Sequence, residues 1–593
     1  MLHIDTFLRD RYPRFVSRHK RVAKLLARFL GLLFYESRFQ QFERDYPHLR
    51  GYDFVEQTLR YFNFSLRVCD RELERIPASG RVVIVSNHPI GSLDGLALLN
   101  MVRRVRPDVK AVANELLMAI EPLKPVLLPV HNMGGGTPRA NLKRIHAHLE
   151  AEGALIIFPA GEVSRFGPRG VRDGEWNGGF LKMARKSRAP VLPVFVSGRN
   201  SLFFYSLSML ARPISTLWLV REMFKQSSNK VVARVGNPIT YDVYGALEVS
   251  TSKLAALFRK HVYRIARDGR PIFQSVQTVA HPENRVLLRR EVEASELLGE
   301  SADGKRIYLC TMEQSPCVMR ELGRLRELTF RTVGEGTGRS RDIDRFDAHY
   351  LQLVLWDPVE MEIAGGYRLG QAAKILAEKG LDGLYTNTLF RFCAPNAALL
   401  EQGLELGRSF VQPRYQKRGS LDYLWAGLGA YIKRYPGYRY LFGPASISPY
   451  YGREASAQIA RFYSTHYPLT GLSVQARRPF EHPLLLENSA PAGSPGAASI
   501  EEDYETLQQY LKAAGLLVPT LFKHYSKALQ PGGLSVGAFN VDPDFGGCVD
   551  GLLVADLQLL TNKKKHRYLR IGADDDASAR ADRACLLRDA MDI

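Results

Sequence analysis

The 593-residue sequence is poor in cysteine and has no cysteine motif. Its six cysteines form no CxxC pair, and the nearest two, Cys310 and Cys317, are seven apart. This excludes a recognisable zinc site, so no metal is expected, and it points to reduced thiols in a cytosolic compartment. No apolar run makes a clean membrane span. The nearest, SLFFYSLSMLARPISTLWLV (201–220), is broken by Arg212 and Pro213. The opening MLHIDTFLRDRYPRF lacks an apolar core, so no secretory signal is expected. RNP, helix-turn-helix and zinc-finger patterns are missing, so no nucleic-acid partner is expected. Acidic residues are also in deficit. The 61 Asp+Glu against 81 Lys+Arg leave a net charge of +20, which favours an anionic membrane face or an acidic carrier protein.

What is present is a folded composition. Hydrophobic residues at 45% and aromatics at 10% supply enough core for roughly two to four domains. The first part alternates strand-like and helix-like runs: RVVIVSN (81–87), DGLALLNMVRRV (94–105), VKAVAN (109–114), ALIIFPAG (154–161) and PVLPVFVSG (190–198). That alternation predicts an α/β domain with a largely parallel sheet. A second mixed α/β domain begins near KRIYLC at 305. The expected limits are 1–59 for amino-terminal helices, 60–270 and 301–565 for the domains, 271–300 for a connector, and 566–593 for a polar tail. In HKRVAKLLARFLGLLFY (19–35), Val22, Leu25, Leu26, Phe29 and Leu32 recur at helical spacing beside a basic face. The pattern suits a helix lying in a membrane interface or one covering its own domain's core.

VSNHPIGSLDGLALL (85–99) places His88 and Asp94 on either side of a Pro/Gly turn. A helix would separate them by about 120° around its axis. The turn through Pro89 and Gly91 can instead fold the carboxylate back toward the imidazole, with Ser92 capping a helix near Asp94. Asp94 would then orient His88 as it takes a proton from a hydroxyl. Downstream, ALIIFPAGEVSR (154–165) ends a buried strand in a Phe-Pro-x-Gly-x-x-Ser-Arg turn, followed by GEWNGGFLKMARKSRAPVLPVFVSGRNS (174–201).

Across roughly 60–245 these stretches resemble the PlsC-like glycerolipid acyltransferases. The resemblance implies His88 as base and Asp94 as its orienter. It also implies Phe158, Pro159, Gly161, Ser164 and Arg165 as acceptor-turn residues, and Glu162 within the same turn is a further substrate-binding candidate. Two departures stand out. Five residues separate His88 from Asp94 where the family has four. The family's Phe-Pro-Glu-Gly-Thr-Arg-Ser turn here carries Ala160, Glu162 and Val163. The Glu and Arg replaced in this turn help the family hold a phosphorylated acceptor, so a phosphate-free hydroxylated lipid is expected instead. NMGGGTPR (132–139) lacks Gly-Lys-Ser/Thr and carries no nucleotide reading.

In the second domain, GLELGRSFVQPRYQKRGSLDYLWAGLGAYI (403–432) reads as strand, basic loop and helix. Backbone N–H groups at the helix start, with Arg414, Lys417, Arg418 and Gly419, suit a pyrophosphate or phosphopantetheine arm. This resembles GNAT-type N-acyltransferases of the branch shared by acyl-homoserine-lactone synthases and ornithine N-acyltransferases. Gln416-x-x-Gly419 matches half of their loop, and VPTLFKHYSKALQPGGLSVGAFNVDPDFGGCVDGLLVADL (518–557) is similar to the end of the ornithine enzymes. The resemblance implies Glu405 as the group that deprotonates or orients the amine, with Arg408 positioning the thioester or supporting it. Asp342, Asp344, Asp347 and Arg368 would be substrate-binding, the aspartates holding a cationic amino acid or ordering the domain's arm. Asp542, Asp544 and Asp550 do not fit an EF-hand.

The two resemblances together are those of bifunctional ornithine-lipid synthases. They imply that the second domain joins a 3-hydroxyacyl group to ornithine, and the first acylates the free hydroxyl of the lyso-lipid. Acyl carrier protein, through its phosphopantetheine thioester, would be the donor, with no bound cofactor. The expected location is cytoplasmic, peripheral on the inner face of a bacterial cytoplasmic membrane. Glycine or another amino acid is the near alternative. A basic peripheral-membrane or nucleic-acid-binding protein with a degenerate acyltransferase fold is the distant one.

Overall fold

The computed structural model describes residues 9, 13–33, 35–130, 138–168, 170–210, 212–226, 230–267, 269–394, 397–416, 419–469, 473–486 and 499–569. The chain divides into two compact units, Met1–His281 and Pro282–Ile593.

In the first unit seven strands form one sheet: β1 Ser65–Arg67, β2 Val82–Ser86, β3 Lys110–Ala113, β4 Leu127–Pro129, β5 Ala154–Ile157, β6 Val191–Val196 and β7 Lys230–Val235. The order is β1-β7-β6-β2-β5-β3-β4, parallel except where β7 runs against β6. The central strand β2 is buried along its whole length. Val82 and Ile84 enter one core with Phe54, Leu98 and Val102. Val83 and Val85 enter the other with Phe180, Leu181 and Phe258. A period of two with apolar residues at every position is what a strand covered by helices on both faces requires. Each such side chain contributes about 1.5–3 kcal/mol through burial.

Helix α1, Lys20–Leu33, buries only Ala23 and Ala27. Val22, Leu25, Phe29 and Leu32 turn outward, Leu25 being 66% and Leu32 81% exposed, whereas Leu26 is half-buried and Leu30 and Leu33 pack with Ala27 and Val220. Of the two readings of this pattern, covering the domain's own core is therefore corrected for Val22, Leu25, Phe29 and Leu32, though not for Leu26. Helix α2, Ser92–Arg103, follows β2 and packs Leu98 and Val102 on the sheet.

The second unit is built on eight strands: β8 Glu296–Glu300, β9 Arg306–Cys310, β10 Leu351–Asp357, β11 Glu362–Gln371, β12 Gly403–Val411, β13 Tyr440–Ile447, β14 Leu534–Asp542 and β15 Cys548–Asp556. Their order is β8-β9-β10-β11-β12-β13-β15-β14. Only β12 and β13 pair in parallel, and only over Gly403–Glu405 against Tyr440–Phe442. Helix α3, Pro316–Arg331, packs Val318, Leu322 and Leu325 on Val354 and Trp356. Helix α4, Ser420–Arg434, covers the opposite face over Ile307, Leu353 and Leu355.

The expected connector 271–300 is not one. Helix Arg285–Glu293 and strand β8 already belong to the second unit. Likewise the start of the expected polar tail is helical. Helix Asn562–Leu569 buries Tyr568, whose hydroxyl donates to Asp422 at 2.7 Å. Residues 570–593 lie outside the described residues.

Candidate active sites

Strand β2 delivers His88 to its carboxyl end. The Asn87 side chain clamps the strand tip to β6, accepting from Val196 N at 2.7 Å and donating to Val196 O at 2.8 Å. The chain then bends through Gly91 at φ +125°, a conformation that needs glycine. Helix α2 begins at Ser92, two residues before the expected start, and Asp94 rather than Ser92 closes its first turn. The Asp94 carboxylate accepts from Ile90 N at 2.8 Å and Gly91 N at 3.3 Å. A negative charge there is favoured by the helix dipole.

Asp94 Oδ1 stands 3.0 Å from His88 Nδ1, off the line of a straight N–H bond, so charge more than hydrogen-bond geometry couples the pair. The imidazole stacks on Phe158 with ring centroids 4.2 Å apart, and its side chain keeps 19% of its surface open. Burial pulls the imidazole pKa down. The Asp94 carboxylate, with help from the charge of Asp173, outweighs burial and raises it above 6.5. Histidine and carboxylate thus have the arrangement and charge that an oriented base requires, at the mouth of the sheet.

A residue not foreseen in the sequence completes this end of the sheet. Asp173 is buried and accepts from Ser164 Oγ at 2.5 Å, Trp176 Nε1 at 2.9 Å and His88 N at 3.2 Å. Ser164 N in turn donates to His88 O at 2.7 Å. Ser164 and Asp173 thus lash the turn at 158–165 to the histidine. Asn200 Nδ2 braces the other side through the carbonyls of Pro89 and Ile90, at 3.3 and 3.1 Å.

In the acceptor turn, Pro159 O accepts from Asn177 N at 2.9 Å, and Gly161 closes the bend at φ +70°. Arg165 is held by Glu162 Oε2 at 3.1 Å and donates to Ser208. Ala160, where the family turn has its glutamate, packs against the core around Phe180.

In the second unit the candidate site lies where β12 and β13 part. Beyond Glu405 and Phe442 the strands diverge, and a cavity opens between Leu406–Ser409 and Gly443–Ser446. Gly443 is required at the fork, because a Cβ there would stand 2.1 Å from Leu406 O. An extra residue in β12 against β11 makes a bulge, and Arg408 adopts φ +49°. A non-glycine residue in this region is strained, at a cost of about 1–3 kcal/mol. The bulge brings Arg408 to the cavity wall. Asp342 Oδ2 lies 2.8 Å from its Nε, and its Nη1 donates to Tyr385 Oη at 3.0 Å.

Several expectations are corrected here. Glu405 does not line the cavity. Its buried carboxylate accepts from Thr386 N and Oγ1, each at 2.5 Å, and from the Tyr350 hydroxyl. Burial raises its pKa, with these hydrogen bonds opposing. It is a sealed internal brace, not an amine base. Asp342, Asp344 and Asp347 do not await a cationic amino acid, because arginines of the chain already hold them. Asp347 pairs with Arg326 at 2.9 Å, and Asp344 with Arg368 at 2.7 Å. Arg368, buried under Tyr350 and Tyr385, is likewise a structural partner. Of their two expected roles, the aspartates fill that of ordering the arm before β10. Arg414 turns away from any phosphate cradle to Glu360 and Glu362, at 2.7 and 3.0 Å. Gln416 Nε2 donates to Val411 O at 3.2 Å, and Gly419 opens α4 at φ +72°. Lys417 and Arg418 lie outside the described residues.

Among the described residues no three or more His, Cys, Asp or Glu side chains group to hold a metal. Nor, among these residues, is any helix long and apolar enough to cross a membrane.

The two α/β units, taken with the matches that follow, are those of an acyltransferase of two domains. Residues 10–267 match the family described as Acyltransferase, and residues 325–426 match the acetyltransferase (GNAT) domain. A glycine N(alpha)-acyltransferase of Bacteroides thetaiotaomicron is 34% identical over 320 residues, covering 51% of this chain and 93% of that protein. A lyso-glycine lipid O-acyltransferase of the same organism is 29% identical over 251 residues, covering 41% and 90%. An L-ornithine N(alpha)-acyltransferase of Brucella abortus is 35% identical over 138 residues, covering 20% and 47%. The chain belongs to the N(alpha)-acyltransferase family and carries a PlsC-like acyltransferase domain in the same polypeptide.

Proposed function

We propose that this chain makes an amino-acid lipid in two steps. The second unit N-acylates ornithine with a 3-hydroxyacyl group, and the first unit O-acylates the hydroxyl so introduced. The observation that carries this reading is that one chain matches both an N-acyltransferase and a lyso-lipid O-acyltransferase over nearly their whole lengths. In the first unit, His88 takes the proton of the lipid hydroxyl while Asp94 stabilises the imidazolium, and the alkoxide attacks the thioester carbonyl. The C–O bond forms, the C–S bond breaks, and the thiol leaves with the proton from His88. Ala160 fits an acceptor without phosphate.

Acyl carrier protein is the proposed donor, since a chain of charge +20 attracts an acidic carrier. The outward apolar face of α1, with exposed Leu202, Phe203 and Met209 in the same unit, supports a peripheral seat on the inner face of a bacterial cytoplasmic membrane. Glycine is the second reading for the amino acid, favoured by the fuller match to the glycine enzyme than to the ornithine enzyme.

The test supplies purified chain with ornithine or glycine, hydroxyacyl and acyl carrier proteins, and reads products by lipid mass spectrometry. The diacylated lipid is expected from the wild type, and only the lyso-lipid from His88→Ala. Diacylated product from His88→Ala overturns the role of His88. Absence of any N-acyl product overturns the first step.

A further inference from the structure

The forked-sheet cavity contains two carboxylates that the acyl-transfer scheme above leaves unused. Glu335 and Asp550 both line it, although they are far apart in sequence. Glu335 is 9% exposed and Asp550 2%. Asp550 accepts from Ser446 Oγ at 2.7 Å, whereas the Glu335 carboxylate has no hydrogen-bond or ion-pair partner among the described residues. Arg408 also lines the cavity, but Asp342 and Asp344 already face its guanidinium, at 2.8 and 3.6 Å. The wall therefore holds two acids with which no described side chain of the protein forms an ion pair. A buried carboxylate with no cation is costly, and it either takes up a proton or is completed by an external cation. Independently, the Tyr367 hydroxyl on the same wall is 3% exposed and has no hydrogen-bond partner.

We propose that Glu335 and Asp550 form the acceptor-amine site, one carboxylate holding the substrate's α-ammonium and taking its proton as the amide forms, the other pairing with a second ammonium. The assignment rests on the N-acyl transfer proposed above and specifies its substrate as a diamino acid. In the step itself, the α-ammonium gives a proton to the carboxylate, and the freed nitrogen lone pair attacks the thioester carbonyl carbon. The C–N bond forms and the C–S bond breaks. The departing thiolate takes the second nitrogen proton, and the carboxyl group returns its own to solvent. Overall, ammonium and thioester give amide, thiol and one proton. Glycine, with one ammonium, leaves one of the two carboxylates unmatched. Ornithine matches both.

The surroundings suit a base that works near neutrality. Burial, with the charge of Asp550, pushes Glu335 to about 7. Burial also pushes Asp550 to about 7, Ser446 opposing and Asp542 adding, with Cys548 and Arg408 also opposing. The two acids act in turn on their titratable neighbours, Glu335 raising Tyr451 and Cys548, and Asp550 raising Tyr385 and Cys548.

The test measures N-acylation by the full chain, with a fixed 3-hydroxyacyl thioester and either ornithine or glycine, across the neutral pH range. Glu335→Gln and Asp550→Asn keep side-chain volume and remove charge. Each is expected to raise KM for ornithine about tenfold or more, leave KM for the thioester unchanged, and displace the acid limb of kcat/KM. Glu335→Gln should also melt no lower than the wild type above neutral pH, because it removes an unpaired buried charge. Wild-type KM and pH profile in both variants overturn the assignment while leaving N-acyl transfer intact. A lowered melting point for Glu335→Gln, marking a structural role, or a wild-type preference for glycine overturns it as well. If the wild type N-acylates neither amino acid, the reading and the assignment fall together.

Discussion

Replacing Asp94 by Asn isolates the charge that the first site depends on. Asn keeps the shape and one acceptor for Ile90 N and Gly91 N, so the start of α2 loses only about 1 kcal/mol. What disappears is an opposite charge 3.0 Å from His88 Nδ1. At an effective dielectric of about 20, that pair attracts by roughly 5–6 kcal/mol. The open edge of the ring and the remaining charge of Asp173 reduce the amount at stake to about 3–4 kcal/mol. The O-acylation rate on supplied lyso-lipid should therefore fall between roughly a hundredfold and a thousandfold. N-acylation, carried by the other unit, serves as the internal control.

The pH profile gives a sharper reading. In the wild type the imidazole is raised above 6.5, so activity should fall with acidification through a limb above that value. A raised histidine also adds stability that is fully present below the unfolded value near 6.5 and is lost as pH climbs through the folded one. Without Asp94, burial prevails. The limb should then drop toward or below 6.5, and the low-pH stability increment should shrink. A loss of activity under tenfold, or a limb that stays where it was, would refute the electrostatic account of His88.

Two further perturbations follow. Asp173→Ala strands the Ser164 hydroxyl, the Trp176 indole and the His88 N–H, each buried donor costing about 1–3 kcal/mol, so a thermal melt should show a large destabilisation with O-acylation reduced. A preserved midpoint would contradict the positioning role. Leu25→Glu with Leu32→Glu on α1 should leave circular dichroism unchanged, since both side chains face outward, yet sharply lower co-sedimentation with anionic vesicles. Undiminished vesicle binding would remove α1 from the membrane reading.

The first site was legible because its signal is local. Pro89 and Gly91 break the chain within a few residues of both members of the pair, and no distant contact is needed to expect His88 beside Asp94. The same holds for the core strands, whose apolar runs are short and bounded. The second site was obscured because it is assembled by register. One extra residue at Arg408 decides which side chains of β12 meet the cavity, and it leaves Glu405 sealed behind Tyr350 and Thr386. The arginines that neutralise Asp344 and Asp347 come from α3 and β11, so those acids look free only when read along the chain. Glu335 and Asp550 carry no local motif at all. Asp173 has no local signal for a similar reason: an aspartate in a loop is ordinarily solvated, and only the fold brings three donors to it.

Each unit closes its own sheet and its own cores, with the boundary between His281 and Pro282. Joined end to end, the two catalysts are translated in strict one-to-one copy number. Whatever the promoter or the growth rate, the cell cannot express one without the other. Stoichiometry that separate genes must set by regulation is here written into a peptide bond.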